Sequence, residues 1–253
     1  MTALLLDVGN SRLKWGVFED GEIHRTGHIA LANVREKGLS VLTTKLPRKA
    51  DVVFASNVAG TSFGTRLSGV VGMHCNADVH FARSERRGWG ITNSYRQPRL
   101  LGVDRWVAMI GAFAEVKSAC LVVDAGTAVT LDAIDREGNH LGGQIIPGVE
   151  TMLNALASAA SDIPEVKASP KPSADDLKMF GRNTAAAVRE GAYNAVAGAI
   201  DRATKVLQSS GYRPKVVLTG GGASRILGAL AKEPLHRPNL VLFGLSHMLE
   251  NDQ

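Results

Sequence analysis

Two short stretches far apart in the chain repeat one another, and that repetition constrains the fold more than any other feature. The apolar run Leu4-Leu5-Leu6 ends in Asp7-Val8-Gly9-Asn10 and resumes through Leu13, Trp15 and Val17. The run Leu121-Val122-Val123 ends in Asp124-Ala125-Gly126-Thr127. The spacing that carries Asp7 onto Asp124 also carries Gly9 onto Gly126, Val17 onto Ile134 and Gly21 onto Gly138. Each copy reads as strand, tight glycine-containing turn, strand, and a second turn at Asp-Gly or Glu-Gly.

A single Asp-x-Gly after a strand is an ordinary turn. Twice at constant spacing, it sets a carboxylate at the mouth of a hairpin beside backbone N–H groups that glycine leaves unobstructed. Bare amides cradle phosphate oxygens, and the acid recruits the cation that neutralises them. Two such hairpins facing one another would hold one polyphosphate between two domains.

Duplication in 253 residues implies two domains, drawn at 1–117 and 118–253. With 45% hydrophobic and 21% charged residues, the composition excludes a disordered chain. Cys75 and Cys120 form no Cys-x-x-Cys or Cys-His cluster, which argues against a disulfide framework or zinc site and for two buried thiols in a reducing compartment. No basic flank with a cleavage site opens the chain, and no apolar run approaches the roughly 18 residues of a membrane span, so a cytoplasmic protein is expected. The net charge of +5 points to anionic ligands. Arg83, Arg86, Arg87, Arg96, Arg99 and Arg105 cluster, but with few aromatics and no nucleic-acid module; a small anionic substrate explains them as well.

Along the chain, Gly27–Ala32 is predicted as a third strand and Val34–Leu46 as a short helix stopped by Pro47. Asp51–Ser56 has the β-rich character of a buried parallel strand, followed by a helix near Ser62–Val71 and a strand at Val79–Ala82. Gly88–Tyr95 breaks the pattern as a structured loop, where binding residues concentrate. Next, Trp106, Met109, Ile110 and Phe113 make one apolar helix face headed by Asp104. An aspartate there serves as a cap worth about 1 kcal/mol. The helix dipole also favours its ionised form, as a general base requires, and the adjacent arginine attracts anions.

In the second half, Gly142–Gly148 is a glycine-rich strand end before a helix through Met152, Leu153 and Leu156. Ser161–Asp176, with Pro164, Pro170 and Pro172, is expected to be an exposed loop. Asn183-Thr184 begins a long helix whose core face is expected at Val188, Ala192, Ala195, Ala199, Ile200, Ala203, Val206 and Leu207. Val216–Leu218 is a buried strand running into Thr219-Gly220-Gly221-Gly222, where glycine lets backbone approach a phosphorylated ligand. Leu240–Phe243 and a last helix through Met248 are expected to close the second domain.

Five motifs in order then carry a resemblance across nearly the whole chain: D-x-G-N-[ST] from Asp7, G-x-D-R at 102–105, D-x-G-T at 124–127, G-G-x-I-x-P-G at 142–148 and T-G-G at 219–221. Together they resemble the type III pantothenate kinases, of the acetate and sugar kinase, chaperone ATPase and actin superfamily. The resemblance implies an α/β, duplicated ribonuclease-H-like (actin-like ATPase) fold: two domains with mixed sheets, flanking helices and a central cleft holding ATP. The implied reaction is phosphorylation of pantothenate, the first step of coenzyme A synthesis.

By the same resemblance, Asp7, Val8, Gly9, Asn10, Ser11, Arg12, Leu13 and Lys14 hold the ATP phosphates with Mg²⁺. Thr127 contacts ATP, and the nucleotide-binding glycines fall on Gly220 and Gly221. Asp104 becomes the catalytic acid-base residue; Tyr95, Gly102, Val103, Arg105 and Thr184 line the pantothenate site. Asp124 corresponds to the ligand of a monovalent cation, K⁺ or NH₄⁺, and the family implies a homodimer. Ser11 stands where the family more commonly has threonine, which keeps the hydroxyl. Two other readings share the scaffold: a non-catalytic accessory factor for transcription, and a kinase or phosphatase acting on a sugar or polyphosphate. Retention of Asp7, Asp104, Asp124 and Thr127 argues against the first, since a module that merely bound a partner would not need all four.

Overall fold

The computed structural model describes residues 1–168 and 179–251. The chain divides into two compact units, residues 1–115 with the segment from Leu240 onward, and Val116–Asn239. Each is built on a five-stranded mixed sheet.

In the first unit β1 (Ala3–Val8), β2 (Arg12–Glu19) and β3 (Glu22–Ala30) form an antiparallel meander. β4 (Val52–Asn57) then lies parallel to β1, and β5 (Val79–Phe81) parallel to β4, giving the order β3-β2-β1-β4-β5. The connections include α1 (Leu31–Lys37), a 3₁₀ turn at Leu39–Leu42, and α2 (Thr61–Cys75). A ribbon of β6 (Arg87–Gly88) and β7 (Ile91–Thr92) precedes α3 (Val103–Val116). β3 begins well before the expected Gly27; apart from Ile23 its early residues Glu22, His24, Arg25 and Thr26 are polar and exposed, which an edge strand permits and an apolar pattern does not reveal.

The second unit repeats this order. β8 (Cys120–Ala125), β9 (Ala128–Ile134) and β10 (His140–Pro147) form its meander, followed by α4 (Val149–Ala159) and α5 (Thr184–Ser209). β11 (Lys215–Thr219) runs parallel to β8; after α6 (Ala223–Ile226), the two-residue β12 (Leu235–His236) runs parallel to β11. The sheet reads β10-β9-β8-β11-β12, strand for strand the order of the first.

The constant spacing conceals two compensating changes. Val8 pairs with Leu13 whereas Ala125 pairs with Val129, so the acid-bearing turn is one residue shorter in the second unit. The next turn is correspondingly longer: Glu19 pairs with Glu22, whereas Asp135 N–H reaches the Asn139 carbonyl across three residues. Between the two turns the true counterpart of Ile134 is therefore Phe18, not Val17.

Alternation along the central strands sorts apolar core from acid. Leu4, Leu6 and Val8 join Val53, Ala55, Phe63, Leu67 and Val71 in one buried cluster, which puts Asp7 on the opposite face of β1. Leu121, Val123 and Ala125 join Leu153, Tyr193, Val196 and Ile200, which puts Asp124 on the opposite face of β8.

The C-terminal helix α7 (Leu240–Glu250) packs in the first unit rather than the second, against β1, β2, β3 and β4. Small residues decide this. A Cβ at Gly244 would fall on the Val107 carbonyl, and one at Gly111 would sit 2.9 Å from the Leu240 carbonyl oxygen, so α3 and α7 meet backbone to backbone.

The face of α5 also differs from expectation. Val188, Ala192, Ile200, Ala203 and Leu207 do pack on the core, but Ala195 and Val206 are exposed while Tyr193, Val196 and Ala197 are buried. An alanine-rich helix has small apolar residues on several faces, so periodicity alone does not select one. The proline-containing stretch Ser161–Asp176 has no helix or strand as far as residue 168, with Val166 buried; the remainder lies outside the described residues.

Candidate active site

In the first unit the acid-bearing turn is fixed from both sides. Asp7, half-buried at the end of β1, lies opposite Lys14 on β2 and Ser56 on β4. Gly9 N–H donates to the Arg12 carbonyl at 3.0 Å, and the Ser11 carbonyl accepts from Leu31 N–H at 2.8 Å, tying the tip to α1. Val8 and Leu13 point into the core and can offer a ligand only backbone, whereas Asn10, Ser11 and Arg12 are exposed.

In the second unit Asp124 occupies the same sheet position, opposite Thr130 on β9 and Thr219 on β11. Three glycine motifs remote in sequence converge on it. Gly126 N–H closes the shorter turn onto the Ala128 carbonyl at 2.9 Å. The carbonyl of the exposed Thr127 accepts from Gly148 N–H at 2.9 Å and from Thr151 Oγ1 at 2.6 Å, which pins the turn to the start of α4. The Gly220–Gly222 loop lies on Asp124 and Ala125, with Gly222 N–H donating to the Ala125 carbonyl at 2.8 Å. An Arg225–Glu150 ion pair then links α6 to α4.

The remaining predicted residues of the first unit form a cluster. Asp104 is half-buried in the first turn of α3, and its Oδ1 accepts from Arg105 N–H at 2.8 Å. A Cβ at Gly102 would lie 2.7 Å from that same Oδ1, so glycine is what leaves the carboxylate its place. Arg105 is buried, donates from Nη1 to Tyr95 Oη at 3.0 Å, and has its guanidinium carbon 5.8 Å from the Tyr95 ring centre. Tyr95, Gly102, Val103, Asp104 and Arg105 are thus brought together from a loop and a helix start. Thr184, exposed, follows the cap Asn183, whose Oδ1 accepts from Ala186 N–H at 2.9 Å; it belongs to the second unit.

Among the described residues there is no group of three or more His, Cys, Asp or Glu side chains able to hold a metal. Carboxylates that stand outside any such group, as Asp7 and Asp124 do, fit instead a cation that arrives with phosphate oxygens and takes one or two protein ligands. The sequence reading gave no role to Ser56, Asn93 or Thr151, and named Thr219 only as part of the T-G-G motif. Ser56 and Thr219 are each the parallel-strand neighbour of an acid, a relation that exists only once register is known.

Compared with solved structures, the fold matches, over 98% of each chain, one described as a conserved putative Baf family transcriptional activator from Campylobacter jejuni, with a TM-score of 0.62 at 20% identity. It also matches a putative 2-dehydro-3-deoxygalactonokinase from Sinorhizobium meliloti, with a TM-score of 0.61 at 15% identity and 98% coverage of both. The two mixed sheets flanked by helices thus have the duplicated α/β, actin-like ATPase fold.

Sequence resolves the class further. A family model for type III pantothenate kinase matches residues 3–206. A type III pantothenate kinase of Azoarcus sp. (strain BH72) is 39% identical over 249 residues, covering 96% of this chain and 89% of the relative. One from Dechloromonas aromatica (strain RCB) is 37% identical over 243 residues, covering 96% and 97%. The chain belongs to the type III pantothenate kinase family.

Proposed function

We propose that the chain transfers the γ-phosphoryl group of ATP to the primary hydroxyl of pantothenate, giving 4′-phosphopantothenate at the entry to coenzyme A synthesis. The observation that carries this reading is the cluster of Tyr95, Gly102, Asp104 and Arg105 in a chain whose family membership extends over residues 3–206. Phosphoryl transfer requires positioning and charge neutralisation more than covalent catalysis. Asp104 orients the hydroxyl and takes its proton as the new O–P bond forms and the bond to the ADP oxygen breaks. Arg105 binds the carboxylate of pantothenate, held in aim by the Tyr95 phenol; Val103 and Thr184 complete the substrate contacts.

The ATP phosphates are assigned to the turn Asp7–Lys14, with Mg²⁺ ligated by Asp7, and to Thr127, Gly220 and Gly221. Mg²⁺ supplies neutralisation of the developing phosphate charge. Asp124 is assigned to a monovalent cation, K⁺ or NH₄⁺. A homodimer and a cytoplasmic setting complete the reading; the second is supported by two free, buried cysteines, and none of the described helices is long and apolar enough to cross a membrane.

The test is ADP release in a coupled assay with pantothenate set against a panel of sugars, with the product identified by mass. Turnover dependent on pantothenate supports the reading. Turnover only with a sugar, or DNA binding without ATP turnover, overturns it.

A further inference from the structure

The loop that carries Tyr95 is held by a residue no motif predicts. Asn93 follows β7 and is 1% exposed, so it cannot touch a ligand. Its polar atoms are nonetheless fully engaged. The side-chain Oδ1 accepts from Tyr95 N–H at 3.0 Å, and Nδ2 donates to the carbonyls of Glu85 at 3.1 Å and Pro98 at 3.2 Å. Its own N–H donates to the Arg86 carbonyl at 2.9 Å, extending the ribbon by one more rung. Arg86 returns the contact, donating from Nη1 to the Asn93 carbonyl at 3.0 Å and from Nη2 to the Arg96 carbonyl at 2.8 Å.

The far end of this ribbon is fixed as well. Trp89 and Gly90 take positive φ values of 49° and 80°, the signature of a two-residue type I′ turn that tryptophan adopts only under constraint. The constraints are visible: Trp89 Nε1 donates to the Met248 carbonyl at 3.3 Å, and Gly90 rests on the Phe113 ring. Anchored there on α7 and α3, the ribbon behaves as a fixed wall, and Asn93 is the joint through which it fixes Tyr95.

We infer that Asn93 is a positioning residue for the acceptor substrate: it acts through Tyr95, and Tyr95 through Arg105. A buried amide satisfied on both its acceptor and donor sides holds one geometry only. Asparagine suits the place because a single side chain must accept from one backbone N–H while donating to two carbonyls. An aspartate of the same shape keeps the first bond and turns the other two into oxygen facing oxygen. The inference rests on the reading of Tyr95 and Arg105 as pantothenate contacts, so its test must separate the two.

The experiment is steady-state kinetics of the full chain as Asn93→Asp, Tyr95→Ala and the double variant, with KM measured for both substrates. Asn93→Asp is expected to raise KM for pantothenate roughly tenfold and leave KM for ATP within about twofold. In the Tyr95→Ala background it is expected to add less than about twofold, because its route to the substrate is already gone. Full additivity in the double variant, or loss of ATP and pantothenate affinity together, would mark Asn93 as general scaffolding and overturn the proposal. Tyr95→Ala raising KM for pantothenate while Asn93→Asp does not also overturns it, but leaves the substrate reading intact. Tyr95→Ala without effect on that KM removes the substrate reading itself. If Asn93→Asp does not fold by circular dichroism, Arg86→Gln, which frees the same loop from its other side, carries the same expectations and the same failures.

Discussion

The α-carbon of Gly220 faces the carboxylate of Asp124: a Cβ built there would fall on Asp124 Oδ1 and on the Ala125 carbonyl oxygen. Gly220 also has φ of +95°, which a side chain resists. Gly220→Ala therefore meets two penalties, about 1–2 kcal/mol for the left-handed backbone and about 1–3 kcal/mol for overlap. The urea midpoint is expected to fall and KM for ATP to rise, since relief of the overlap must move the Asp124 turn. An unchanged midpoint would show that the loop and the acid are not in contact.

The Tyr95 phenol accepts from a buried guanidinium, and hydrogen bonds to charged groups contribute about 1.5–3 kcal/mol. Tyr95→Phe keeps the ring and removes that acceptor. KM for pantothenate should rise about tenfold or more with kcat little altered, and Arg105→Lys should do at least as much, because an ammonium does not reproduce the planar fork. Equal loss in KM for ATP would place the pair elsewhere than the acceptor site.

Asp104→Asn keeps the shape at the start of α3 and removes the base. General-base catalysis contributes about 10²–10⁴ in rate. Turnover is expected to fall within that range while KM for ATP stays within about twofold, a loss confined to the transition state. Undiminished turnover in rapid-quench measurements would take Asp104 out of the proton transfer.

Asp7→Asn should act on the other substrate. With no carboxylate cluster among the described residues to hold a divalent ion independently, losing one acid weakens the hold on Mg·ATP. The Mg²⁺ concentration for half-maximal rate should increase severalfold with KM for pantothenate unchanged. A Mg²⁺ titration superimposable on that of the parent protein would refute the assignment.

Both acid-bearing hairpins, the parallel strand beside each, and the helices that begin near Asp104 and Thr184 were legible because they rest on local rules: apolar runs, turn residues and, at Asn183, a cap; Asp104 lies inside the first turn of α3 rather than capping it. The doubled architecture was legible because the two copies kept their spacing. What stayed hidden depends on three dimensions. The one-residue exchange between turns leaves the spacing unchanged and emerges only from pairing, Val8 with Leu13 against Ala125 with Val129. The return of α7 to the first unit is set by Gly244 against Val107, a contact between residues remote in sequence. Asn93 gave no signal at all, since one asparagine among Thr92, Ser94 and Tyr95 looks like loop until its partners are known.

Cys120 lies at the start of the central strand β8, between Ile134 and Lys215 on its neighbours, and is fully buried. Burial pushes its thiol up to about 12, whereas the unfolded chain releases that proton near the ordinary value of about 8.5. Above that value the unfolded state binds fewer protons than the folded one, so stability falls as pH rises. The contribution is complete below about pH 8.5 and is lost progressively up to about 12. Within the window it amounts to about 1.4 kcal/mol per pH unit. Cys120→Ala lowers stability at neutral pH by leaving a cavity but removes this slope. Urea unfolding of both proteins at pH 8, 9 and 10 checks it: the two free energies should converge as pH rises. Parallel curves would mean that the thiol ionises as readily in the folded chain as in the unfolded one. A thiol-specific chromogenic reagent at pH 8 gives an independent reading, since Cys75, also raised by burial, and Cys120 should both be unreactive in the native chain and react once it unfolds.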